Sequence, residues 1–214
     1  MKRKKSENRR TAGKILIVTG SFIILFVIAI NIIDLVKSTN AIEDFKKRPS
    51  KIIVERIDDN GNVISQYDSE KVPEKSGSDG ELDESATICL LRIPKIKLEE
   101  AVKEGSTKGV LSSALGHVEN TAWPGEEGNC CIAGHRNYVF GKYFNRLDEI
   151  VPGDVIEIDT KDSIFRYEVV STEVVEPEDV SVLSYVEGKN LTLITCTPFM
   201  IGTHRLIVHA VASY

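Results

Sequence analysis

Apolar residues follow two different patterns along the chain, one near the N-terminus and one after residue 87. Residues 15–33 read ILIVTGSFIILFVIAINII, 19 consecutive uncharged and mostly apolar positions. A helix of that length is just long enough to cross a hydrocarbon layer of roughly 30 Å. After residue 87 the apolar residues form short runs rich in Val, Ile and Thr, separated by turn formers. The first pattern predicts one long helix, and the second predicts β-strands.

Seven runs after residue 87 have the length and composition of β-strands. They are ICLLRIP, EEAVKEG, NCCIAGH, DVIEIDT, SIFRYEVVSTEVVE, NLTLITC and RLIVHAVA. Seven or eight closely spaced strands indicate a closed barrel or a sandwich, and closure removes exposed strand edges. Short helices are expected at 107–115, 140–147 and 177–184. The predicted fold class is mainly β, preceded by one N-terminal helix.

The segment between the two patterns is more polar. Residues 38–50 predict a stalk, and KIIVERIDDNGNVISQY at 51–67 predicts a β-hairpin around Asp-Asn-Gly-Asn. Residues 69–86 are acidic and poor in apolar side chains, which is typical of a flexible linker. The predicted organisation is a basic tail at 1–14, a membrane anchor at 15–35, the stalk, hairpin and linker at 36–86, and a β-domain at 87–214.

The length of the apolar run and the charge beside it together favour a membrane anchor. Residues 1–37 carry 8 basic and 2 acidic side chains, a net charge of +6, whereas residues 38–214 carry 19 and 30, a net charge of −11. Positive charge beside a first span keeps that side in the cytoplasm, so the β-domain is expected outside a single-pass cell-membrane anchor. A cleavable signal peptide is the alternative, but its apolar region is usually about 7–15 residues long. The acidic outer part is not expected to bind nucleic acid.

The chain has four cysteines, Cys89, Cys130, Cys131 and Cys196. An even number in an exported domain permits disulfides. Cys130 and Cys131 are adjacent in a predicted strand and are expected to point to opposite faces. Cys89 and one of that pair are interpreted as small buried hydrophobes. A Cys89–Cys196 bridge is the alternative to a reactive thiol at Cys196.

Three residues that could take part in nucleophilic catalysis lie where apolar runs meet loops. They are His135 in CIAGHRNY, Cys196 in LITCTP and Arg205 in THRLIV. A thiol becomes a nucleophile beside a base, imidazole can return the proton, and a guanidinium can stabilise an oxyanion. Together they would support acyl transfer without a metal. Taken singly, a core cysteine, a histidine in a turn and a solvent-facing arginine (Arg205 or the nearby Arg136) are the alternatives.

Other chemistries have less support in the sequence. No C-x-x-C or H-x-x-H spacing is present, and His204 and His209 are expected on opposite faces of a strand, so no metal site is predicted. A Gly-x-Ser-x-Gly motif is also absent. No cofactor is expected.

Three short motifs combine the candidate residues: TLITC at 192–196, THR at 203–205 and AGHR at 133–136. Two longer stretches, LRIPKIKLEEAVKEG at 91–105 and LGHVENTAWPGEEGN at 115–129, agree with them. Together they resemble the sortase family of cysteine transpeptidases. The likeness covers about residues 87–212. It implies that residues 87–214 form a catalytic, eight-stranded β-barrel with a substrate groove near the Cys-bearing strand.

The resemblance also implies roles for individual residues. Cys196 would be the nucleophile, His135 the general acid/base and Arg205 the oxyanion-binding or substrate-orienting group. Thr195 would help to position the substrate or its tetrahedral intermediate. His117 lies outside this set and is interpreted as structural.

The implied reaction is cleavage of a Leu-Pro-x-Thr-Gly-like (LPxTG-like) sorting signal on an exported protein between Thr and Gly, through a thioacyl-enzyme. An amine then resolves the intermediate: a peptidoglycan precursor would give cell-wall anchoring, and a pilin lysine would give a pilus. The chain has no Asp-Pro-aromatic motif before the barrel, which favours wall anchoring or a class D-like role. A non-catalytic exported module that binds peptides is the alternative of a different class.

Overall fold

The computed structural model describes residues 2–48, 55–57, 63–65, 86–136 and 142–213. The chain divides into two compact units, Met1–Asn40 and Ala41–Tyr214. Helix α1 spans Lys2–Lys47 and contains the apolar run. Among the helices in the described part of the chain, none combines the length and apolarity needed for a membrane crossing. The anchor predicted at 15–35 is therefore not confirmed.

Two short strands lie in the segment for which the sequence predicts a hairpin. Strands β1 (Glu55–Ile57) and β2 (Val63–Ser65) pair antiparallel, with Arg56 opposite Ile64. The predicted turn between them and most of the predicted linker at 69–86 lie outside the described residues.

Eight further strands close into a barrel, which confirms the predicted architecture. Their order around the barrel is β10, β8, β7, β3, β4, β5, β6 and β9, and β9 pairs with β10. The β4–β5 and β6–β9 pairs are parallel, and the other pairs are antiparallel. The strands are β3 Thr87–Ile93, β4 Leu98–Glu104, β5 Leu115–His117, β6 Gly128–Ala133, β7 Val155–Asp159, β8 Ile164–Val175, β9 Lys189–Thr197 and β10 His204–Ala212.

The helices within the barrel domain are shorter than predicted. The helix expected at 107–115 is reduced to α2 (Lys108–Leu111), which begins after Thr107, whose Oγ1 accepts a hydrogen bond from Val110 N. The chain then enters β5, a strand too short to give a pattern in the sequence. Where helices were expected at 140–147 and 177–184, the described residues form turns and the 3-10 segments Leu147–Glu149 and Ser181–Leu183.

Alternate residues of the barrel strands point inward and form one core. In β6 these are Cys130 and Ile132, in β9 Leu191 and Leu193, and in β10 the inward set begins at Leu206. Because strand side chains alternate, neighbouring residues such as Cys131, Ile194 and Arg205 belong to the outer face. The core is completed by residues from the connections, among them Tyr143, Phe144, Leu147 and Ile150.

Three of the four cysteines are buried, and all four are free. The alternative of a Cys89–Cys196 disulfide is therefore wrong. Cys89 and Cys130 lie in the core, and burial raises the pKa of both thiols. Cys131 projects from the opposite face of β6, as predicted, yet it is also buried, with Sγ 4.0 Å from Val182 O. Burial raises its pKa to about 12.

Residues 41–48 pack on the outer face of β3 and β4. Phe45 is only 3% exposed and forms a small cluster with Leu90 and Ala101. Lys46 Nζ lies 3.0 Å from Glu99 Oε2, and the Lys161 amine donates to Lys46 O at 2.8 Å. The last turns of α1 therefore belong to the packed domain, which begins before residue 87.

Candidate active site

Cys196 and Arg205 lie directly opposite each other on the antiparallel strands β9 and β10. Their inward-pointing neighbours, Thr195 and Leu206, also form a pair in this register and are buried. Cys196 and Arg205 therefore share the outer face near the end of the barrel, where both are half-buried. The loop between β9 and β10 is short, so the two strands are antiparallel neighbours and Cys196 and Arg205 come together at their ends.

His135 follows β6, which runs parallel to β9 on its other side. Ala133 pairs with Ile194, and Gly134 N donates to Ile194 O at 3.0 Å. The same register continued by two residues brings His135 level with Cys196, and adjacent strands lie about 4.8 Å apart. His135 is exposed. Cys196 thus lies between the strand that carries Arg205 and the segment that carries His135, and the continued register assigns His135 to the same outer face.

The Thr195 side chain lies on the inner face of β9, away from Cys196. It is 2% exposed, and its Oγ1 donates to Gly134 O at 2.8 Å. This bond ties the strand that carries Cys196 to the residue before His135. The substrate-positioning role expected for Thr195 stays a prediction.

Arg205 is held by the backbone of the β9–β10 connection. Its Nη1 donates to Gly202 O at 3.2 Å and to His204 O at 3.0 Å. A guanidinium has five N–H donors, so these two bonds leave donor capacity for an anionic oxygen. Arg205 can therefore present a fixed positive charge beside the thiol, where an oxyanion would form.

The β9–β10 loop passes directly against Cys196. Gly202 has a φ of +67°, and a Cβ at this position would lie 3.5 Å from Cys196 Cβ and 4.0 Å from Sγ. Backbone amides of Ile201 and Gly202 donate to Pro198 O, which closes the loop. Glycine is suited to this position because it adopts positive φ without steric cost and leaves room beside the sulfur.

A second arginine at the site, Arg136, is largely buried. The alternative of a solvent-facing side chain does not hold for it, because only 9% of the side chain is exposed. Its guanidinium contacts Thr197, the residue after Cys196, and Asp148 from the 3-10 segment. The sequence gives no indication of these contacts, because they join three segments that are distant along the chain.

The remaining histidines near this region are engaged elsewhere. His117 is 1% exposed, with Nδ1 2.7 Å from Glu104 Oε2 and Nε2 3.0 Å from Ala122 O, as a structural residue would be. His204 Nε2 lies 3.3 Å from Glu176 Oε1. Among the residues that the structure describes, no group of three or more His, Cys, Asp or Glu side chains is placed to hold a metal ion.

Comparison with known proteins gives a consistent result. The family model for the sortase domain matches residues 91–213, which include all of the site. Sortase D from Bacillus subtilis is 34% identical, over 51% of this chain and 54% of its own length. Sortase SrtE1 from Streptomyces coelicolor is 36% identical, over 61% of this chain and 42% of its own length. The chain thus spans about half the length of these curated relatives.

A solved structure extends the agreement to the fold. The sortase D5 transpeptidase from Clostridium perfringens superposes with a TM-score of 0.57 at 41% identity, covering 63% of this chain and 83% of that protein. The matched part of the chain contains the barrel except for the first residues of β3, together with the Cys196–Arg205 pair and the segment that bears His135. The domain match and the fold together show that the chain belongs to the sortase family of cysteine transpeptidases.

Proposed function

We propose that this protein is a sortase that cleaves an LPxTG-like sorting signal and transfers the protein bearing it to a cell-wall amine. The observation that carries the proposal is the position of Cys196 between Arg205 on β10 and His135 after β6. A thiol, an imidazole and a guanidinium on the outer face of the barrel are sufficient for acyl transfer through a covalent intermediate. No step requires a cofactor.

In the first half-reaction, the Cys196 thiolate attacks the carbonyl carbon of the Thr–Gly peptide bond. The tetrahedral intermediate carries an oxyanion that Arg205 stabilises through charge-assisted hydrogen bonds. His135, as the imidazolium, gives a proton to the departing glycine amine, and the C–N bond breaks. The products are a thioester on Cys196 and a free amine.

In the second half-reaction, an incoming amine attacks the thioester. His135 accepts the proton that the nucleophile loses, and the C–S bond breaks as the new amide forms. The thiolate is regenerated, so the cycle is balanced without an oxidant or reductant. The net charge of −11 on residues 38–214 favours approach of a cationic amine substrate.

Wall anchoring is the preferred outcome, with an amine of a peptidoglycan precursor as the nucleophile. The absence of an Asp-Pro-aromatic motif before the barrel supports it. We further propose that residues 15–35 anchor the protein in the cell membrane, with the N-terminus in the cytoplasm and the catalytic domain outside. The apolar run and the net charge of +6 on residues 1–37 support this arrangement.

The chemistry is tested with residues 41–214, a peptide carrying an LPxTG-like signal, and either a glycyl peptide or a lysine-bearing pilin peptide. Wild type is expected to form the transfer product, and Cys196→Ala is expected to form none. Cys131→Ala is the matched control, because this buried thiol lies away from the site. Product with the glycyl peptide supports wall anchoring, and product with the pilin peptide alone supports polymerisation.

Two outcomes would overturn the assignment. Transfer that survives Cys196→Ala would show that Cys196 is not the nucleophile. Saturable peptide binding by wild type with no cleavage of any LPxTG-like signal would favour the non-catalytic peptide-binding module.

A further inference from the structure

Arg136 directly follows His135, yet its side chain turns away from solvent. Only 9% of it is exposed, and the buried Nε has no hydrogen-bond partner among the residues that the structure describes. Burying a guanidinium costs free energy unless other contacts offset the lost hydration. The position of Arg136 therefore calls for a physical explanation beyond surface charge.

The Arg136 guanidinium joins three separate segments. Nη1 donates to Thr197 Oγ1 at 3.1 Å, and Nη2 lies 2.7 Å from Asp148 Oδ2. The guanidinium carbon also lies 5.8 Å from the centroid of the Phe199 ring, within the range of a cation–π contact. One side chain thus connects the chain after β6, the end of β9 and the 3-10 segment Leu147–Glu149.

These contacts occur where the backbone ladder between β6 and β9 gives way to side-chain contacts. The described backbone hydrogen bonds reach as far as Gly134 N to Ile194 O. Beyond that point the two chains are joined by side chains: Thr195 Oγ1 donates to Gly134 O, and Arg136 donates to Thr197 Oγ1. His135 and Cys196 are located between these two contacts, one on each chain.

We propose that Arg136 is a positioning residue that fixes the separation of His135 and Cys196. The inference rests on the proposed function, because the separation matters only if imidazole and thiol exchange a proton. Arg136, directly after His135, bonds Thr197, directly after Cys196. Thr195, directly before Cys196, bonds Gly134, directly before His135. The two reactive side chains on the outer face are thereby held in register from the inner face.

A direct role in binding the oxyanion does not fit Arg136. Its partner Thr197 alternates with Cys196 along β9, so the two side chains leave opposite faces of the strand. Arg205, which pairs with Cys196, shares its face. The two arginines therefore have different roles. Arg205 lies on the same face as the Cys196 thiol, whereas Arg136 acts from the opposite face of β9.

The geometry also explains why the residue is an arginine. The planar guanidinium presents two nitrogens at once, one to a hydroxyl and one to a carboxylate, while its face rests on an aromatic ring. An ammonium group on a flexible stem cannot reproduce these three contacts together. Arg136→Lys is therefore expected to retain the charge but only part of the activity.

The test compares Arg136→Gln, Thr197→Val and the double variant in peptide cleavage by residues 41–214, with activity expressed per folded molecule. A misplacement of about 1 Å can cost about 10²-fold in rate. We expect kcat to fall about 100-fold in Arg136→Gln and about tenfold in Thr197→Val, with KM changed less than about twofold. The double variant should match Arg136→Gln, since both changes remove the same clamp.

Alkylation of Cys196 by iodoacetamide gives a readout that needs no substrate. Near pH 7 the rate in Arg136→Gln should fall below wild type, because a displaced imidazole no longer assists thiolate formation. In alkaline solution the difference between the two rates should narrow, because hydroxide deprotonates accessible thiols without an imidazole. A loss of folding alone would expose Cys196 and would raise the alkylation rate of Arg136→Gln at either pH rather than lower it.

Arg146→Gln is the matched control. Arg146 also forms an ion pair within the 3-10 region, with Glu149 at 2.7 Å, and donates to Ile96 O rather than to β9. Wild-type kcat and alkylation profile are expected for this variant. Equal kcat and equal alkylation profiles in wild type and Arg136→Gln would overturn the positioning role. Failure of wild type itself to cleave any peptide would overturn the proposed function instead.

Discussion

At the scale of single residues, four chemically identical thiols differ only in their surroundings. Cys89, Cys130 and Cys131 are buried, and burial raises the pKa of each, which keeps it protonated through the neutral range. Cys196 is half-buried on the outer face beside Arg205. Because the thiolate is the reactive form, reactivity is expected to concentrate at Cys196.

The first prediction concerns this selectivity. Native residues 41–214 treated briefly with iodoacetamide near pH 8 should incorporate one label, located at Cys196 by peptide mass spectrometry. In denaturant all four cysteines should react. Labelling of Cys89 or Cys130 at a comparable rate under native conditions would contradict the buried environments described above.

The second prediction compares two glycines that both have positive φ. Gly202 (φ +67°) lies against Cys196, whereas Gly153 (φ +92°) has open space where a Cβ would be. Replacing either by Ala should cost about 1 kcal/mol of folding free energy, since an L side chain disfavours this conformation. Only Gly202→Ala should also lower kcat per folded molecule, because relief of the backbone strain at this positive φ would shift the loop that lies against Cys196. Equal kcat in the two variants would show that the loop contact is irrelevant to catalysis.

At the scale of elements, residues 41–48 illustrate how burial and charge differ in strength. Phe45 is almost fully buried against Leu90 and Ala101, whereas the Lys46–Glu99 ion pair has 50% and 36% of its side chains exposed. Truncating a buried Phe typically costs about 3 kcal/mol or more, and an exposed ion pair contributes less than about 1 kcal/mol. The aromatic contact should therefore dominate the attachment of this segment.

The third prediction follows from that comparison. In denaturant unfolding of residues 41–214, Phe45→Ala should lower the free energy of unfolding by about 3 kcal/mol. Lys46→Ala should lower it by less than about 1 kcal/mol. The reverse order would mean that the charges, rather than the ring, hold residues 41–48 on the barrel.

The fourth prediction concerns the pH dependence of Glu99. Burial alone would raise the pKa of Glu99, but hydrogen bonds from Arg92 and Lys46 bring it below its ordinary value of 4.5. A carboxyl whose pKa is lower in the folded state stabilises the fold above its unfolded pKa, and this stabilisation is lost as pH falls through the folded pKa. Glu99→Gln should therefore destabilise the domain at neutral pH, and the difference should shrink as the pH falls below 4.5. A constant difference across this range would contradict the shifted pKa.

At the scale of the whole molecule, the sequence predicted the barrel because most strands are long enough to show as apolar runs. It also identified Cys196 and Arg205 as candidates where apolar runs meet loops, and the register of β9 and β10 places them opposite each other. It did not predict β5, which has three residues, or the inward turn of Arg136, whose partners are far apart along the chain. The local pattern of apolar residues predicts individual strands and helices. Contacts between segments that are distant along the chain depend on how those strands and helices pack together.

The fifth prediction tests the anchor proposed for residues 15–35. The full chain mixed with phospholipid vesicles should sediment with them and resist extraction by high salt, because an apolar helix rather than surface charge would hold it. Residues 41–214 should stay in the supernatant. Release of the full chain by salt would indicate an electrostatic attachment of the basic tail instead.

The parallel pairing of β6 and β9 has a consequence for protein engineering. Two parallel strands end at the same side of a sheet, so the chain leaves β6 and β9 on the same side of the barrel. Between β6 and β9 the chain forms β7 and β8, which are joined by a tight turn where Thr160 N donates to Ser163 O. Insertions at that turn lengthen the connection between β6 and β9 without altering the pairing of these two strands. A reporter peptide or a small folded domain could therefore be spliced in at this turn while the transfer centre keeps its geometry.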